Sequence, residues 1–456
     1  MSNSLSSFKA YDIRGRIPDQ LNEQLAYKIG RAYAQWLKPK RVVVGYDIRL
    51  SSQGLMLAVS QGLIDEGCEV FNIGLCGTEM IYFATFYHQM DGGIMVTASH
   101  NPKDYNGMKL VREQAKPISM DTGLLEIKSL VSRFSDENFV PENHAVTLKS
   151  LPTLDILDDY CQHLLSYIDV SALKPLSIVV NAGNGGAGLI IDALEKYLPF
   201  KWIKVHHEPN GDFPHGIPNP LLVENREVTM QAIKKHGADL GIAWDGDFDR
   251  CFFFDEKGRF IEGYYIVGLL AQVFLQKEKG AKIVYDPRLI WHTESIVQAH
   301  GGVAIQSKAG HSFIKEKMRD YDAVYGGEMS AHHYFKDFSY CDSGMIPWLL
   351  IVQLISKLDK SLSTFVDEAI HAYPVSGEIN CSVADVAAVI EKVKAAYQPL
   401  ASSSDDIDGL SLSFKNWRFN LRASNTEPVI RLNVESKTDI KLMEEKRDAL
   451  LALIQS

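Results

Sequence analysis

The chain has 456 residues, enough for about three domains of ordinary size or four smaller ones. With 46% hydrophobic and 23% charged residues, the composition excludes a disordered or fibrous protein. The 57 acidic residues outnumber the 47 basic ones and no Lys/Arg tract occurs, which argues against nucleic-acid or anionic-membrane binding. Any anionic substrate must therefore be held by local positive groups.

The sequence also indicates where the protein works. Residues 1–9 are Ser-rich without an apolar stretch, and the apolar residues 346–355 are too few to cross a bilayer. Six scattered cysteines without a C-x-x-C pair are typical of reduced thiols and predict neither a zinc nor a redox site. We therefore expect a cytoplasmic protein that is not inserted in a membrane; its oligomeric state stays open.

Three segments repeat one plan of strand, polar loop, helix and second strand. This alternation predicts βαβ units and a largely parallel sheet in each segment. The predicted strand, helix and strand cover residues 41–45, 52–66 and 69–73, then 176–180, 188–197 and 202–206, then 281–285, 291–300 and 303–306.

A further apolar strand in each segment runs into a polar loop. These strands cover residues 93–97, 239–244 and 322–325, and the loops cover residues 98–102, 245–250 and 326–332. Because ligands of open α/β sheets bind beyond the carboxyl ends of the strands, the three loops are the predicted functional sites.

The last part of the chain follows another plan. After a polar loop at residues 401–406, residues 411–421 and 429–435 alternate as strands, and residues 439–454 form an amphipathic helix. The expected fold class is therefore α/β, with three similar mixed-sheet α/β domains and a smaller C-terminal α+β domain. The expected domain bounds are residues 1–148, 149–256, 257–370 and 371–456.

Three carboxylates alternate in Asp245-Gly-Asp-Phe-Asp-Arg250. Clustered carboxylates repel one another unless a cation neutralises them, so the sequence predicts a Mg²⁺ or Ca²⁺ site at Asp245, Asp247 and Asp249. An EF-hand is disfavoured because Arg250 stands where the calcium loop needs glycine, and because strands flank the motif. A solvated acidic turn is the simpler alternative.

The loop Thr97-Ala-Ser-His-Asn-Pro102 sets a hydroxyl beside an imidazole. Ser99 is a candidate nucleophile or phosphate carrier, since a nearby metal can stabilise a phosphoryl group on serine. A turn in which Ser or Asn caps the next segment explains the same residues and stays open as the alternative.

The loop Gly327-Glu-Met-Ser-Ala-His332 carries groups that suit sugar hydroxyls. A period of two places Glu328, Ser330 and His332 on one face of an extended loop, with His333 on the other. Satisfied polar groups in a tight turn are the alternative.

The loop Arg422-Ala-Ser-Asn-Thr-Glu-Pro428 combines a guanidinium, two hydroxyls and an amide, with Arg431 nearby. This set predicts a phosphate-binding loop. A plain β-hairpin turn is an equally simple interpretation.

One glycine motif predicts a different function. Gly183-Asn-Gly-Gly-Ala-Gly188 follows a predicted strand, opens a helix and matches the dinucleotide-binding pattern, with Glu208 downstream as a ribose ligand. The motif lies in the central segment, however, and Glu208 begins a Pro-Asn-Gly-Asp turn. We therefore disfavour a dinucleotide-dependent enzyme.

Together the loops resemble the α-D-phosphohexomutase family over essentially the whole chain. Each motif alone is moderately specific, whereas the ordered set is very specific. The matching segments are Ala10-Tyr-Asp-Ile-Arg-Gly15, Thr97-Ala-Ser-His-Asn-Pro102, Asp104-Tyr-Asn-Gly-Met-Lys109, Asp245-Gly-Asp-Phe-Asp-Arg250, Gly327-Glu-Met-Ser-Ala-His332 and Arg422-Ala-Ser-Asn-Thr-Glu-Pro428. The resemblance implies four domains around a central cleft.

The resemblance also implies a role for each loop. Ser99 would be the phosphoserine, joined on Mg²⁺ by Asp245, Asp247 and Asp249. The implied catalytic residues are Ser99, His100, Lys109, Arg14 and His332, of which Lys109 and His332 are candidates for proton transfer. The implied substrate-binding residues are Arg250, Arg288, His311, Glu328, Ser330, Arg422, Ser424, Asn425, Thr426 and Arg431. Phe248 stands where many relatives have Gly, and Arg288 stands where some relatives have Lys.

The implied reaction converts mannose 6-phosphate into mannose 1-phosphate through hexose 1,6-bisphosphate, which also primes the enzyme. Residues 104–112 and 327–335 are most similar to the mannose-specific bacterial members. Glucose phosphates, alone or beside mannose phosphates, are the alternative substrates. A non-catalytic regulator that binds sugar phosphates is a distant alternative, because it predicts loss of Ser99 or of an aspartate, and none is lost.

Overall fold

The computed structural model describes residues 5–134, 146–423 and 429–456. The chain divides into two compact units: Met1–Arg259 with Asp337–Lys357, and Phe260–Lys336 with Leu358–Ser456. No helix in the described parts combines the length and apolarity that a membrane crossing requires.

The first sheet follows the expected βαβ plan. Its elements are β1 Ile13–Arg16, α1 Glu23–Leu37, β2 Arg41–Tyr46, α2 Ser52–Asp65, β3 Glu69–Leu75, α3 Thr78–Tyr87, β4 Gly92–Val96, β5 Tyr105–Arg112, β6 Lys116–Pro117 and α4 Leu124–Val131. The strand order is β1-β5-β4-β2-β3, with β6 beside β5. β2 pairs parallel with β3 and β4, whereas β5 pairs antiparallel with β4. The carboxyl ends of β2 and β4 therefore meet at one edge.

The second sheet has the same central arrangement. Its elements are α5 Leu157–Leu165, β7 Ser177–Asn181, α6 Ala187–Glu195, β8 Lys201–Val205, α7 Glu227–His236, β9 Leu240–Trp244 and β10 Cys251–Asp255. The strands run in the order β10-β9-β7-β8, parallel except for β10. β9 and β10 are antiparallel with Trp244 opposite Cys251, so the acidic motif connects two buried strands as expected.

The third segment again centres on parallel strands. Its elements are β11 Phe260–Ile261, α8 Gly263–Lys277, β12 Lys282–Tyr285, α9 Trp291–Ala299, β13 Val303–Gln306, α10 His311–Tyr321, β14 Tyr325–Gly327, β15 His333–Phe335, β16 Cys341–Asp342, α11 Ile346–Leu358 and α12 Leu362–Ala372. Strands β13, β12, β14 and β15 lie side by side in that order. β14 begins three residues later than the predicted start at residue 322, because Asp322, with φ 52°, ends α10 in the left-handed conformation.

The C-terminal segment is an antiparallel sheet covered by helices. Its elements are β17 Ile379–Ser382, α13 Val386–Tyr397, β18 Ser403–Asp405, β19 Leu410–Ser413, β20 Trp417–Ala423, β21 Val429–Ser436 and α14 Ile440–Gln455, in the strand order β17-β21-β20-β19-β18. The single strand predicted over residues 411–421 is wrong. The chain turns at Phe414, whose N–H donates to the Trp417 carbonyl and whose ring stacks on Trp417. Part of the predicted loop 401–406 pairs with β19 as the edge strand β18.

Candidate functional site

The Ser99 loop leaves the carboxyl end of β4. Ser99 is buried and has a φ of 48°, which lies in the left-handed region that residues other than glycine seldom occupy. Its N–H donates to Thr97 Oγ1 at 2.8 Å, which holds this conformation. Its hydroxyl donates to Asp245 Oδ2 at 2.9 Å, so the two motifs meet across 146 residues of sequence.

The three aspartates of the β9–β10 connection lie together and are buried. Oxygens of Asp245, Asp247 and Asp249 all lie within 4.8 Å of one another. Within the described residues Asp247 Oδ1 is buried and accepts no hydrogen bond. A buried carboxylate oxygen without a donor, in a set of oxygen ligands, fits a hard divalent cation such as Mg²⁺.

Lys109 places a positive charge against this cluster. Its Nζ donates to Asp247 Oδ2 at 2.6 Å and to Asp249 Oδ2 at 2.5 Å. Burial alone would lower the pKa of Lys109, but the two carboxylates raise it above its ordinary value. Lys109 is therefore a cation here.

His100 and two arginines complete this part of the site. His100 Nδ1 lies 3.0 Å from Ser99 Oγ and 2.6 Å from Arg250 Nη2, and Arg250 Nε donates to Asp245 Oδ2 at 2.8 Å. Burial and the Arg250 guanidinium lower the pKa of His100 well below its ordinary value, so the ring is neutral. Arg14 donates to Asn101 Oδ1 at 2.6 Å. The resemblance and the geometry thus agree on one cluster in the first unit.

A second cluster, in the other unit, centres on Glu378, a carboxylate for which the sequence predicted no role. Glu378 lies 3.4 Å from Arg288 Nη1, 3.1 Å from Arg422 Nη2 and 3.6 Å from Arg431 Nη1. Burial raises the pKa of Glu378, but the three guanidinium groups lower it to about 2. Three arginines that the resemblance assigns to substrate or phosphate binding therefore form ion pairs with the same carboxylate, Glu378.

The Glu328 loop is a tight turn, so the predicted extended arrangement is wrong. Glu328 N–H donates to the His332 carbonyl, and Ala331, with φ 71°, reverses the chain. Glu328 is buried, accepting from Gly310 N–H at 2.8 Å and from Tyr334 Oη at 2.5 Å. Ser330 Oγ lies 3.4 Å from Arg288 Nη2. A single left-handed residue cancels the period of two on which the prediction relied.

The remaining predicted residues have varied positions. His311 is the first residue of α10, directly after Gly310, which donates to Glu328. His332 ends the Glu328 turn. Ser424, Asn425 and Thr426 lie outside the described residues, so their role stays a prediction.

The glycine motif at residues 183–188 serves packing. A Cβ on Gly185 would lie 2.9 Å from the Gly246 carbonyl oxygen, and one on Gly188 would lie 2.3 Å from that of His207. The glycines thus let the start of α6 approach the acidic loop at residues 245–250 and the residues that follow β8. This explains the pattern without a dinucleotide.

Two Asp-x-Arg turns were not predicted as turns, although the resemblance implied a binding role for Arg288. Asp47 and Arg49 follow β2, and Asp286 with Arg288 follows β12. In each turn the Asp Oδ1 accepts the Arg N–H at 3.0 Å. The rule that ligands gather at the carboxyl ends of strands applies to these turns as well and could have found them.

Four family descriptions match successive parts of the chain. Phosphoglucomutase/phosphomannomutase alpha/beta/alpha domains I, II and III match residues 5–136, 158–258 and 262–373, and the C-terminal domain of the same family matches residues 378–452. A phosphomannomutase from Salmonella montevideo is 58% identical over 459 residues, covering 100% of both chains. Phosphohexose mutases from Xanthomonas campestris are 56% identical, covering 99% of this chain and 100% of theirs.

A solved structure agrees. The phosphoglucomutase/phosphomannomutase family protein from Burkholderia thailandensis superposes with a TM-score of 0.86 at 30% identity, covering 100% of this chain and 98% of its own. The fold and the relatives show that the protein is an enzyme of the isomerase class, which transfers a phosphoryl group between two positions of one molecule. The chain belongs to the phosphoglucomutase/phosphomannomutase family, the α-D-phosphohexomutases.

Proposed function

We propose that this enzyme interconverts mannose 6-phosphate and mannose 1-phosphate through a phosphoserine at Ser99 and a hexose 1,6-bisphosphate. The single observation that carries the proposal is the hydrogen bond from Ser99 Oγ to Asp245 Oδ2, which joins a buried hydroxyl to a buried acidic cluster. The identity of 58% to a phosphomannomutase over the full length supports mannose as the sugar.

In this proposal a sugar hydroxyl oxygen attacks the phosphorus of phospho-Ser99, and the bond from phosphorus to Ser99 Oγ breaks. The hydroxyl proton passes to a base, with His332 as a candidate, and Lys109, the other candidate for proton transfer, would give a proton to the leaving Ser99 oxygen. Asp245, Asp247 and Asp249 would hold a Mg²⁺, which when bound neutralises charge on the phosphoryl oxygens. Neutral His100 and the guanidinium groups of Arg14 and Arg250 would orient that group.

Recognition of the sugar is assigned to the other cluster. Glu328 and Ser330 would bind sugar hydroxyls, with Arg288 and His311 beside them. Arg422 and Arg431, with Ser424, Asn425 and Thr426, would hold the phosphate that is not being transferred. The bisphosphate must then turn around, so that its other phosphate can return to Ser99 and regenerate the phosphoenzyme.

A cytoplasmic location suits this proposal. All six cysteines are buried free thiols, as expected for a reducing compartment. Hexose phosphates are the only partners that the proposal requires, together with Mg²⁺ and a bisphosphate primer.

The test measures phosphate on the protein and turnover of two sugars. After incubation with glucose 1,6-bisphosphate and Mg²⁺, peptide mass spectrometry should find one phosphate on Ser99, and Ser99→Ala should lose both the phosphate and turnover. The kcat/KM for mannose 1-phosphate should exceed that for glucose 1-phosphate. Full turnover by Ser99→Ala would refute the phosphoserine, and a preference for glucose would make the enzyme a phosphoglucomutase.

A further inference from the structure

Arg49 lies beneath the Ser99 loop and holds it through the backbone. Its side chain is buried and donates to four carbonyl oxygens. These are the carbonyls of Ser99 at 2.8 Å, Asn101 at 2.6 Å, Pro102 at 2.7 Å and Tyr105 at 2.9 Å. One rigid guanidinium therefore fixes both ends of the loop that carries the reacting hydroxyl.

Asp47 holds the same loop from its first residue. Its Oδ2 accepts from Thr97 Oγ1 at 2.6 Å, and Thr97 Oγ1 in turn accepts the N–H of Ser99 at 2.8 Å. Its Oδ1 accepts from Arg49 N–H at 3.0 Å and from Ser52 Oγ at 2.5 Å. The Asp47–Arg49 turn thus spans the loop with side chains of opposite charge.

The corresponding turn of the third segment has a different use. Asp286 Oδ2 accepts the N–H of Met329 at 2.8 Å, as Asp47 accepts from Thr97, so both aspartates bind the loop after the neighbouring strand. Arg288, however, reaches Ser330 and Glu378, which belong to the second cluster, the one proposed to bind the substrate. Arg49 instead directs its terminal N–H groups at carbonyls of the Ser99 loop, and its guanidinium is buried and not open to a substrate.

We propose that Arg49 and Asp47 are positioning residues for phosphoryl transfer, which keep Ser99 in its left-handed conformation with Oγ directed at Asp245. The inference rests on the proposed role of Ser99. The physical reason is that in-line transfer tolerates little displacement of the reacting oxygen, while an isolated serine avoids a φ of 48°. Lysine keeps the charge of arginine but is a single point donor and cannot bridge four carbonyls.

The test compares Arg49→Lys with Arg31→Lys, a matched change in the same domain at an arginine that binds Glu66. Each protein is mixed with glucose 1,6-bisphosphate and Mg²⁺, and phosphate on Ser99 is followed by intact mass. At saturating bisphosphate Arg49→Lys should phosphorylate Ser99 about 100-fold more slowly than the unaltered protein, because the loop is misplaced. The half-saturating concentration should change by less than about 3-fold, and Arg31→Lys should match the unaltered protein.

A rate for Arg49→Lys within about 3-fold of the unaltered protein would overturn the inference. If Arg49→Lys does not fold, as judged by circular dichroism, Asp47→Asn takes its place. It replaces one of the two oxygens that accept from Thr97, Arg49 and Ser52 with an amide donor, and it should slow phosphorylation about 10-fold. An unchanged rate in that variant overturns the inference equally. Absence of phosphate on Ser99 in the unaltered protein would instead refute the proposed function.

Discussion

At the residue scale, Asp247 shows how hydrogen bonds orient a candidate metal ligand. Its Oδ2 accepts from Lys109 Nζ and from Thr78 Oγ1 at 2.5 Å, and its carbonyl accepts the Thr78 N–H at 3.1 Å. Its other oxygen, Oδ1, is the one without a hydrogen-bond donor among the described residues. Thr78, the first residue of α3, thus holds one oxygen of this carboxylate and the backbone carbonyl of the same residue.

The Thr78 contact leads to a prediction about metal affinity. Thr78→Val keeps the side-chain shape but removes the hydroxyl, and it should weaken Mg²⁺ binding by about 10-fold, as loss of an outer-shell partner usually does. Thr78→Ser keeps the hydroxyl and is the control. Isothermal titration of Mg²⁺ into the three proteins measures the effect; equal affinities would show that Thr78 does not orient Asp247.

Glu378 leads to a prediction about pH. Its pKa is lowered from 4.5 to about 2 in the folded chain, so its contribution to stability is complete above pH 4.5 and is lost as the pH falls toward 2. The shift corresponds to about 3 kcal/mol from the ion pairs with Arg288, Arg422 and Arg431. Glu378→Gln should therefore unfold at lower urea than the unaltered protein at pH 6, with a smaller difference at pH 3.5.

Other carboxylates also ionise in this pH range, and burial raises the pKa of Asp408 beside Arg422. Because these carboxylates are present in both Glu378→Gln and the unaltered protein, their contribution cancels in the difference between the two free energies of unfolding. Glu391→Gln, on the exposed part of α13, is the control and should show no pH-dependent difference. A constant gap between Glu378→Gln and the unaltered protein would contradict the assignment.

At the element scale, the contact between α1 and α2 depends on two glycines. A Cβ on Gly30 would lie 2.2 Å from the Val59 carbonyl oxygen, and one on Gly62 would lie 2.2 Å from that of Tyr27. A backbone carbonyl cannot move aside as the end of a flexible side chain can. These helices therefore pack closely only because both positions lack a Cβ atom. Val44 and Val59 are fully buried in the core that this contact covers.

The same contact allows a matched pair of substitutions on α2. Gly62→Ala should destabilise the fold by about 2 kcal/mol, because the new methyl meets rigid backbone. Gly54→Ala meets only the flexible end of Glu23 and should be neutral or stabilise by about 0.5 kcal/mol. Urea midpoints of the two variants measure the difference; equal midpoints would mean that the helices can separate without cost.

At the scale of the whole molecule, most groups proposed for the transfer and those proposed for recognition of the distal phosphate lie in different units, with the candidate base His332 in the second unit. The hydroxyl, the acidic cluster and Lys109 lie in the first unit, whereas the arginine cluster around Glu378 lies in the second. Each cluster is assembled within its own unit. The transfer step and the recognition of the distal phosphate should therefore respond to different substitutions.

Steady-state kinetics tests this division. Lys109→Met should lower kcat by about 100-fold or more with KM nearly unchanged, since it removes charge at the reacting phosphoryl group. Arg422→Met should mainly raise KM, by about 10-fold, because it removes one charged hydrogen-bond donor to the distal phosphate. A fall in kcat alone in Arg422→Met would place Arg422 in the transfer step instead.

The sequence by itself determined the local elements and the loops that carry the candidate site residues. Apolar runs such as Val42–Val44 define strands, and Asp439 predicts the start of α14, because periodicity and capping act over a few residues. The Asp245–Asp249 spacing indicates a cation site for the same reason. Local signals failed where one backbone angle reverses the chain, as at Ala331 and at the Phe414 turn.

Only the tertiary structure decided which charges meet. Ser99 and Asp245 are 146 residues apart, and Arg288 and Glu378 are 90 apart, so neither contact leaves a local pattern. Arg49 and Arg288 lie in the same kind of Asp-x-Arg turn, yet Arg49 binds carbonyls of the Ser99 loop and Arg288 reaches Glu378. The physical reason is that hydrogen bonds and ion pairs depend on distance in space, which the packing of sheets and helices sets.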